Sequence, residues 1–156
     1  VICWGRAKLA PFLFGGNMKR VIITALALLA TSASANPYNW KIIRVVDGDT
    51  VMFEAPFMPA PLKPQLSIRV LGVDTPEKAP RAQCEKEELA AIAASSFTKK
   101  VVAEAKQTQI ELKQHDKYGG RVLGDVILDG KRLSQLLIEN GHARPYYGEK
   151  KQSWCN

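Results

Sequence analysis

One long run of helical periodicity stands inside a chain otherwise written in β-alternation, and that order of elements constrains the fold more than any other feature. From Cys84 to Ala105 the apolar positions Leu89, Ile92, Phe97 and Val101 recur at helical spacing. Glu85, Glu87 and Glu88 sit in the first turns, with Lys99 and Lys100 later, as the helix dipole favours. Two β-rich runs, within "NWKIIRVVDGDTVMFEA", come first and are separated by the turn signal Asp47-Gly48-Asp49. The proline-rich "PFMPAPLKPQ" follows, read as the loop at a hairpin tip because proline cannot donate to a central ladder. "LSIRVLGV" is the third run. Beyond the helix, "TQIELKQ" and "RVLGDVILD" alternate on either side of the polar turn "HDKYGG", and "LSQLLIENG" is a short helix stopped by Gly141.

Five strands with a long helix between the third and the fourth predict an α+β fold. The expected architecture is a five-stranded OB-fold β-barrel with that helix inserted and a short C-terminal helix after it. The tail "HARPYYGEKKQSWCN" is irregular, with Trp154 and Cys155 expected to be pinned to the body.

The start of the chain reads differently. From Met18, two basic residues, an apolar run from Val21 to Ala30 and the small-residue exit Ala33-Ser34-Ala35 describe a secretory signal peptide over 18–35. The apolar run is about half of the roughly 20 residues that span a bilayer. We read 1–17 as sequence upstream of a true start at Met18, the alternative being a long n-region, and 36–156 as the folded domain. Of 22 basic and 15 acidic residues, four basic ones (Arg6, Lys8, Lys19 and Arg20) lie in 1–35, which leaves the domain at +3. That mild charge is compatible with a polyanionic substrate without demanding one. Cys84 and Cys155 remain as an even pair, which in an exported chain suggests a disulfide; two free buried thiols are the other reading.

"DGDT" and "VDTPE" each place acidic groups at the end of a β-run. If their strands are neighbours, Asp49, Asp74 and Glu77 converge on one mouth. Carboxylates gathered there repel one another, and a hard divalent cation with oxygen ligands relieves that repulsion; calcium suits such a set. Arg69 begins the strand that delivers Asp74 and offers a guanidinium fork to a phosphate. A cation, a forked base and a spare carboxylate make a phosphodiester-cleaving set. Each piece alone is better read as a hairpin turn or as a cap on the loop before the helix.

Taken together, "VVDGDTV", "IRVLGVDTPE", the helix beginning near Cys84 and "DKYGGRVLGDV" resemble the staphylococcal nuclease (thermonuclease) family over roughly residues 40–148. The resemblance implies an OB-fold, calcium-dependent nuclease that cleaves DNA and RNA with little sequence preference and leaves 3′-phosphate ends. It implies that Asp49 and Asp74 ligate calcium by carboxylate and Thr75 by its backbone carbonyl. It implies that Glu77 activates water and that Arg69 binds the scissile phosphate.

The family's second arginine follows Tyr-Gly directly, whereas this chain has Tyr118-Gly119-Gly120-Arg121. Glycine absorbs an extra turn residue readily, so Arg121 is the expected counterpart and Gly120 the alternative. Lys117 and Tyr118 are expected to touch a terminal phosphate and a base, and Tyr146 or Tyr147 to stack on a base. Better-known members continue into a third helix; here a Cys84–Cys155 bridge is expected to tie the tail to the long helix instead. The whole reads as a periplasmic or secreted monomer, with DNA and RNA as substrates and no stable membrane association after signal cleavage. The competing reading is a catalytically weak or inactive barrel of the same kind that binds nucleic acid or protein.

Overall fold

A computed structural model describes residues 37–117 and 120–156. The expected upstream segment 1–17, the signal segment 18–35 and Tyr118 lie outside the described residues. Three strands come first: β1 Ile42–Val45, β2 Thr50–Glu54 and β3 Gln65–Val70, followed by the short β4 Val73–Asp74. Helix α1, Glu85–Glu104, separates them from β5 Thr108–His115 and β6 Arg121–Leu128. The chain closes with β7 Lys131–Arg132, α2 Leu133–Glu139 and β8 Arg144–Pro145.

The main sheet runs β1-β2-β3-β6-β5, with β7 paired to β6. Neighbours are antiparallel except β3 and β6, which run parallel with Ser67 opposite Arg121 and Arg69 opposite Leu123. A single antiparallel bridge, Tyr38 with Ile110, joins the chain before β1 to β5. The expected fold class therefore holds as α+β, OB-like in plan, but the closed five-stranded barrel does not. Its first-to-last seam is one bridge rather than a ladder, and the third β-run breaks at Leu71-Gly72 into β3 and β4. That break lets β4 leave the main sheet and pair with β8, Asp74 opposite Arg144.

Alternation builds the core. Val51 and Phe53 of β2, Ile68 and Val70 of β3, and Val122, Val126 and Leu128 of β6 all turn inward. Leu133 and Leu137 of α2 cover one end of this cluster and are wholly buried. Truncating such a leucine to alanine costs about 2–5 kcal/mol.

The helix α1 lies where the sequence places it, yet not on the face that apolar spacing selects. Leu89 is 60% exposed and Ile92 50% exposed, while Ala91, Ala94, Ser95 and Thr98 are buried. Phe97 and Val101 pack against the core edge as expected. The reason is proximity. A Cβ on Gly48 would stand 3.0 Å from the Ala94 Cβ and 3.3 Å from the Thr75 methyl carbon, so the helix rests on backbone and only small side chains fit between. The Thr98 hydroxyl then donates to the Gly48 carbonyl at 2.7 Å.

Candidate functional site

Two loops meet under α1. The turn 47–49 hands Asp49 to the start of β2, where Val70 donates its N–H to the Asp49 carbonyl at 2.8 Å. β4 delivers Asp74 beside it. Asp49 is 1% exposed and Asp74 3%, with Thr75 also buried. Arg69, opposite Thr50 in the β2–β3 ladder, lays its fork on Asp49, with Nη1–Oδ1 at 3.2 Å and Nη2–Oδ2 at 3.0 Å. Its fork is thus seated on a carboxylate rather than aimed at open solvent. Burial pushes the Asp49 carboxyl up to about 6, against the lowering pull of Arg69 and with a further rise from Asp47.

Glu77 is the more open member. Its Oε2 accepts from Arg81 Nε at 2.8 Å, one helical turn's spacing away, and its Oε1 is 3.7 Å from the Lys151 ammonium. Lys151 reaches further, to 2.6 Å from Asp74 Oδ1. Burial alone would lower the Lys151 ammonium, but its close ion pair with Asp74 holds it above its ordinary value. Trp154 Nε1 donates to the other Asp74 oxygen, Oδ2, at 3.2 Å.

Among the described residues four buried carboxylate oxygens make no hydrogen bond of good geometry: Asp47 Oδ1, Asp49 Oδ2, Asp74 Oδ1 and, on β5, Glu111 Oε2; the last three are ion-paired with Arg69, Lys151 and Arg132. Among the described residues, no three His, Cys, Asp or Glu side chains form a closed metal cage. Asp49 and Thr75 line a cleft of about 20 Å³ together with Glu77, and a water-sized guest needs roughly 10–15 Å³. Buried oxygens without hydrogen bonds and an all-oxygen donor set fit a hard cation such as calcium, which takes carboxylates, carbonyls and water at flexible geometry. The residues present fit such an ion, and Asp49, Asp74 and the Thr75 carbonyl are the groups that would hold it.

A groove of about 1370 Å³ opens above the cleft, lined by Arg69, Glu77, Lys117, Arg121, Tyr146 and Tyr147 among others. Arg121 opens β6 opposite Ser67, so by the alternation of strands it shares a face with Arg69. Gly120, with φ of +76°, takes the left-handed turn conformation that absorbs the extra residue. Arg121 Nε pairs with Asp116, which also lines the groove. Tyr147 is 84% exposed beside the groove. Cys84 and Cys155 are bonded, with Cα atoms 6.0 Å apart across 71 positions. Arg69, Glu77, Lys117, Arg121 and Tyr147 line the groove and Asp49 and Thr75 the cleft, whereas Asp74 lines neither and meets the groove through Lys151.

Three contributors were not legible in the motifs. Glu87, buried in the first turn of α1, accepts from the backbone N–H of Glu77 at 3.2 Å and of Gln83 at 2.8 Å. Its own N–H donates to the Sγ of the N-cap Cys84 at 3.4 Å, half of a capping box, while its carboxylate reaches past the cap to Gln83; the Cys-x-x-Glu spacing was its signal. Lys151 and Trp154 come from the tail, which carries no period that would place them at Asp74.

The family model described as staphylococcal nuclease homologue covers residues 67–154, more than half of the chain. The chain belongs to the staphylococcal nuclease family. The thermonuclease of Staphylococcus hyicus is 32% identical over 117 residues, covering 72% of this chain and 62% of that protein. Endonuclease YhcR of Bacillus subtilis (strain 168) is 29% identical over 124 residues, covering 76% of this chain and 10% of its own length. This staphylococcal nuclease homologue therefore spans less than two thirds of either relative. Among its described residues, no helix is long and apolar enough to cross a membrane.

Proposed function

We propose that the protein is a calcium-dependent, sugar-nonspecific endonuclease that hydrolyses phosphodiester bonds of DNA and RNA to 3′-phosphate products. One observation carries this reading. Asp49 and Asp74 present buried carboxylate oxygens that are paired with Arg69 and Lys151, two residues lining a groove that also holds Glu77 and Arg121. Fold and relatives support it, since both relatives are named as nucleases.

In this reading each group has a task set by its surroundings. Arg69 and Arg121 share a strand face and bring two guanidinium groups to one phosphate, countering charge that grows as the phosphorus gains a fifth oxygen. Glu77, the least buried of the three carboxylates, holds a water and takes its proton. When bound, calcium supplies Lewis-acid polarisation of a phosphate oxygen. Lys117 and Tyr147 line the approach, for the neighbouring phosphate and for base stacking; Tyr118 is assigned with them on sequence alone. We place the protein in the periplasm or outside the cell, as a monomer free of the membrane. The Cys84–Cys155 bridge supports that compartment.

The test is hydrolysis of single-stranded DNA with calcium and with excess chelator, alongside Glu77→Gln. Calcium-dependent cleavage that falls about 10²–10⁴-fold in the variant is the expected result. Arg121→Ala is expected to lose about 10²–10³-fold. Absence of cleavage, with calcium still raising the melting temperature, would show a binding module instead.

A further inference from the structure

The tail after β8 does more than cover the sheet: it ends on the ion site. Asp74 and Arg144 face each other in the β4–β8 pair. The Arg144 guanidinium lies over the Trp154 ring, 3.9 Å from its centroid, and donates to the Ser153 carbonyl at 3.0 Å. That clamp turns the indole N–H onto Asp74 Oδ2 at 3.2 Å. The next residue, Cys155, is bonded to Cys84, which is the N-cap of α1. Lys86 of the same helix turn donates to the Asn156 carbonyl.

The consequence concerns which oxygen is offered. Trp154 takes Oδ2, while Oδ1 is buried, has no hydrogen bond of good geometry and faces the Lys151 ammonium. A carboxylate with one oxygen anchored by a fixed donor keeps its plane, and the second oxygen points where a cation is to sit. Outer partners of this kind change metal affinity by about 10–100-fold when removed.

We propose that Trp154, held in register by the Cys84–Cys155 bridge, is a positioning residue that fixes the Asp74 carboxylate and presents Oδ1 to the calcium ion. This rests on the ion-binding reading given above. Lys151 acts in the opposite sense, as a tethered ammonium that must leave Oδ1 when the ion arrives. Removing the bridge frees both residues, so Lys151 has to be neutralised before the contribution of Trp154 can be read.

The experiment is a calorimetric calcium titration of the full-length chain carrying Lys151→Met, compared with the same chain also carrying Trp154→Phe or the Cys84→Ser/Cys155→Ser pair. The parent is expected to bind calcium at least as tightly as the unaltered protein. Trp154→Phe should weaken binding by about 10–100-fold, and the serine pair should weaken it in the same direction. Melting of the ion-free chains separates the roles, because a merely structural tail would lower that melting temperature and leave the dissociation constant alone. An unchanged dissociation constant in Trp154→Phe would overturn the proposal and leave the ion reading standing. If Trp154→Phe does not fold, the serine pair decides, and unchanged affinity there overturns it. Absence of calcium binding in both the parent and the unaltered protein overturns the proposal together with the ion reading.

Discussion

Asp125 and Asp49 are both buried carboxylates on neighbouring parts of one sheet, and burial pushes both upward. Their partners differ. Asp125 accepts from the Val126 N–H at 2.8 Å, from the Ser134 N–H at 3.2 Å and from the Ser134 hydroxyl, all within β6 and the start of α2. Asp49 has one hydroxyl, from Thr50 at 2.9 Å, and the Arg69 fork, and its Oδ2 gains no hydrogen bond of good geometry. Asp74 resembles Asp49, with Lys151 in the place of Arg69. A carboxylate closed by its own backbone holds a fold together. Asp49 and Asp74 are closed by long cationic side chains from other elements instead, with fewer donors of their own.

Substitutions can break that contrast, beginning with the largest effect. Asp74→Ala should reduce cleavage by about 10²–10³-fold and abolish any calcium-induced rise in melting temperature, while Asp125→Asn should leave the calcium response in place. A calcium response that survived in Asp74→Ala would erase the distinction. Asp125→Ala should destabilise by about 3 kcal/mol in denaturant unfolding, because it leaves buried N–H donors without a partner.

Asp49→Asn should act with the opposite sign. The folded carboxyl titrates at about 6 against an ordinary 3.8, so its contribution favours folding below the ordinary value and is lost as pH rises through about 6. The ion-free variant is therefore expected to gain on the order of 2 kcal/mol at pH 8 and nothing at pH 4. Equal stability of variant and parent at both pH values would show that burial does not raise the Asp49 carboxyl.

How far the sequence reaches depends on how local the cause is. Strand order was legible because Val51, Phe53, Ile68 and Val70 alternate and because Pro56 to Pro64 interrupt them. The acidic pair was legible because each carboxylate sits at the end of its own strand. The seated face of α1 was not, since a helix lying on a glycine turn selects small side chains and leaves Leu89 and Ile92 outside. Nor was the seating of Trp154 on Asp74, 80 positions away, which depends on the fold, on a bridge and on a clamp from Arg144. Cysteine counting anticipated the bridge but not what it brings to the site.

The contact between Gly48 and Ala94 makes the spacing of the two acidic loops a matter of one methyl group. The Ala94 Cβ would be 3.0 Å from any carbon added at Gly48, with Thr75 pressed in at 3.3 Å. Position 94 carries no charge and coordinates nothing, yet its bulk sets the gauge between the turn 47–49 and the residue after Asp74. On the ion-binding reading proposed above, a helix that supplies no ligand sets the spacing of the groups that would hold the ion. Exchange of Ala94 for serine or glycine is the natural way to shift preference among divalent cations while every ligand stays in place.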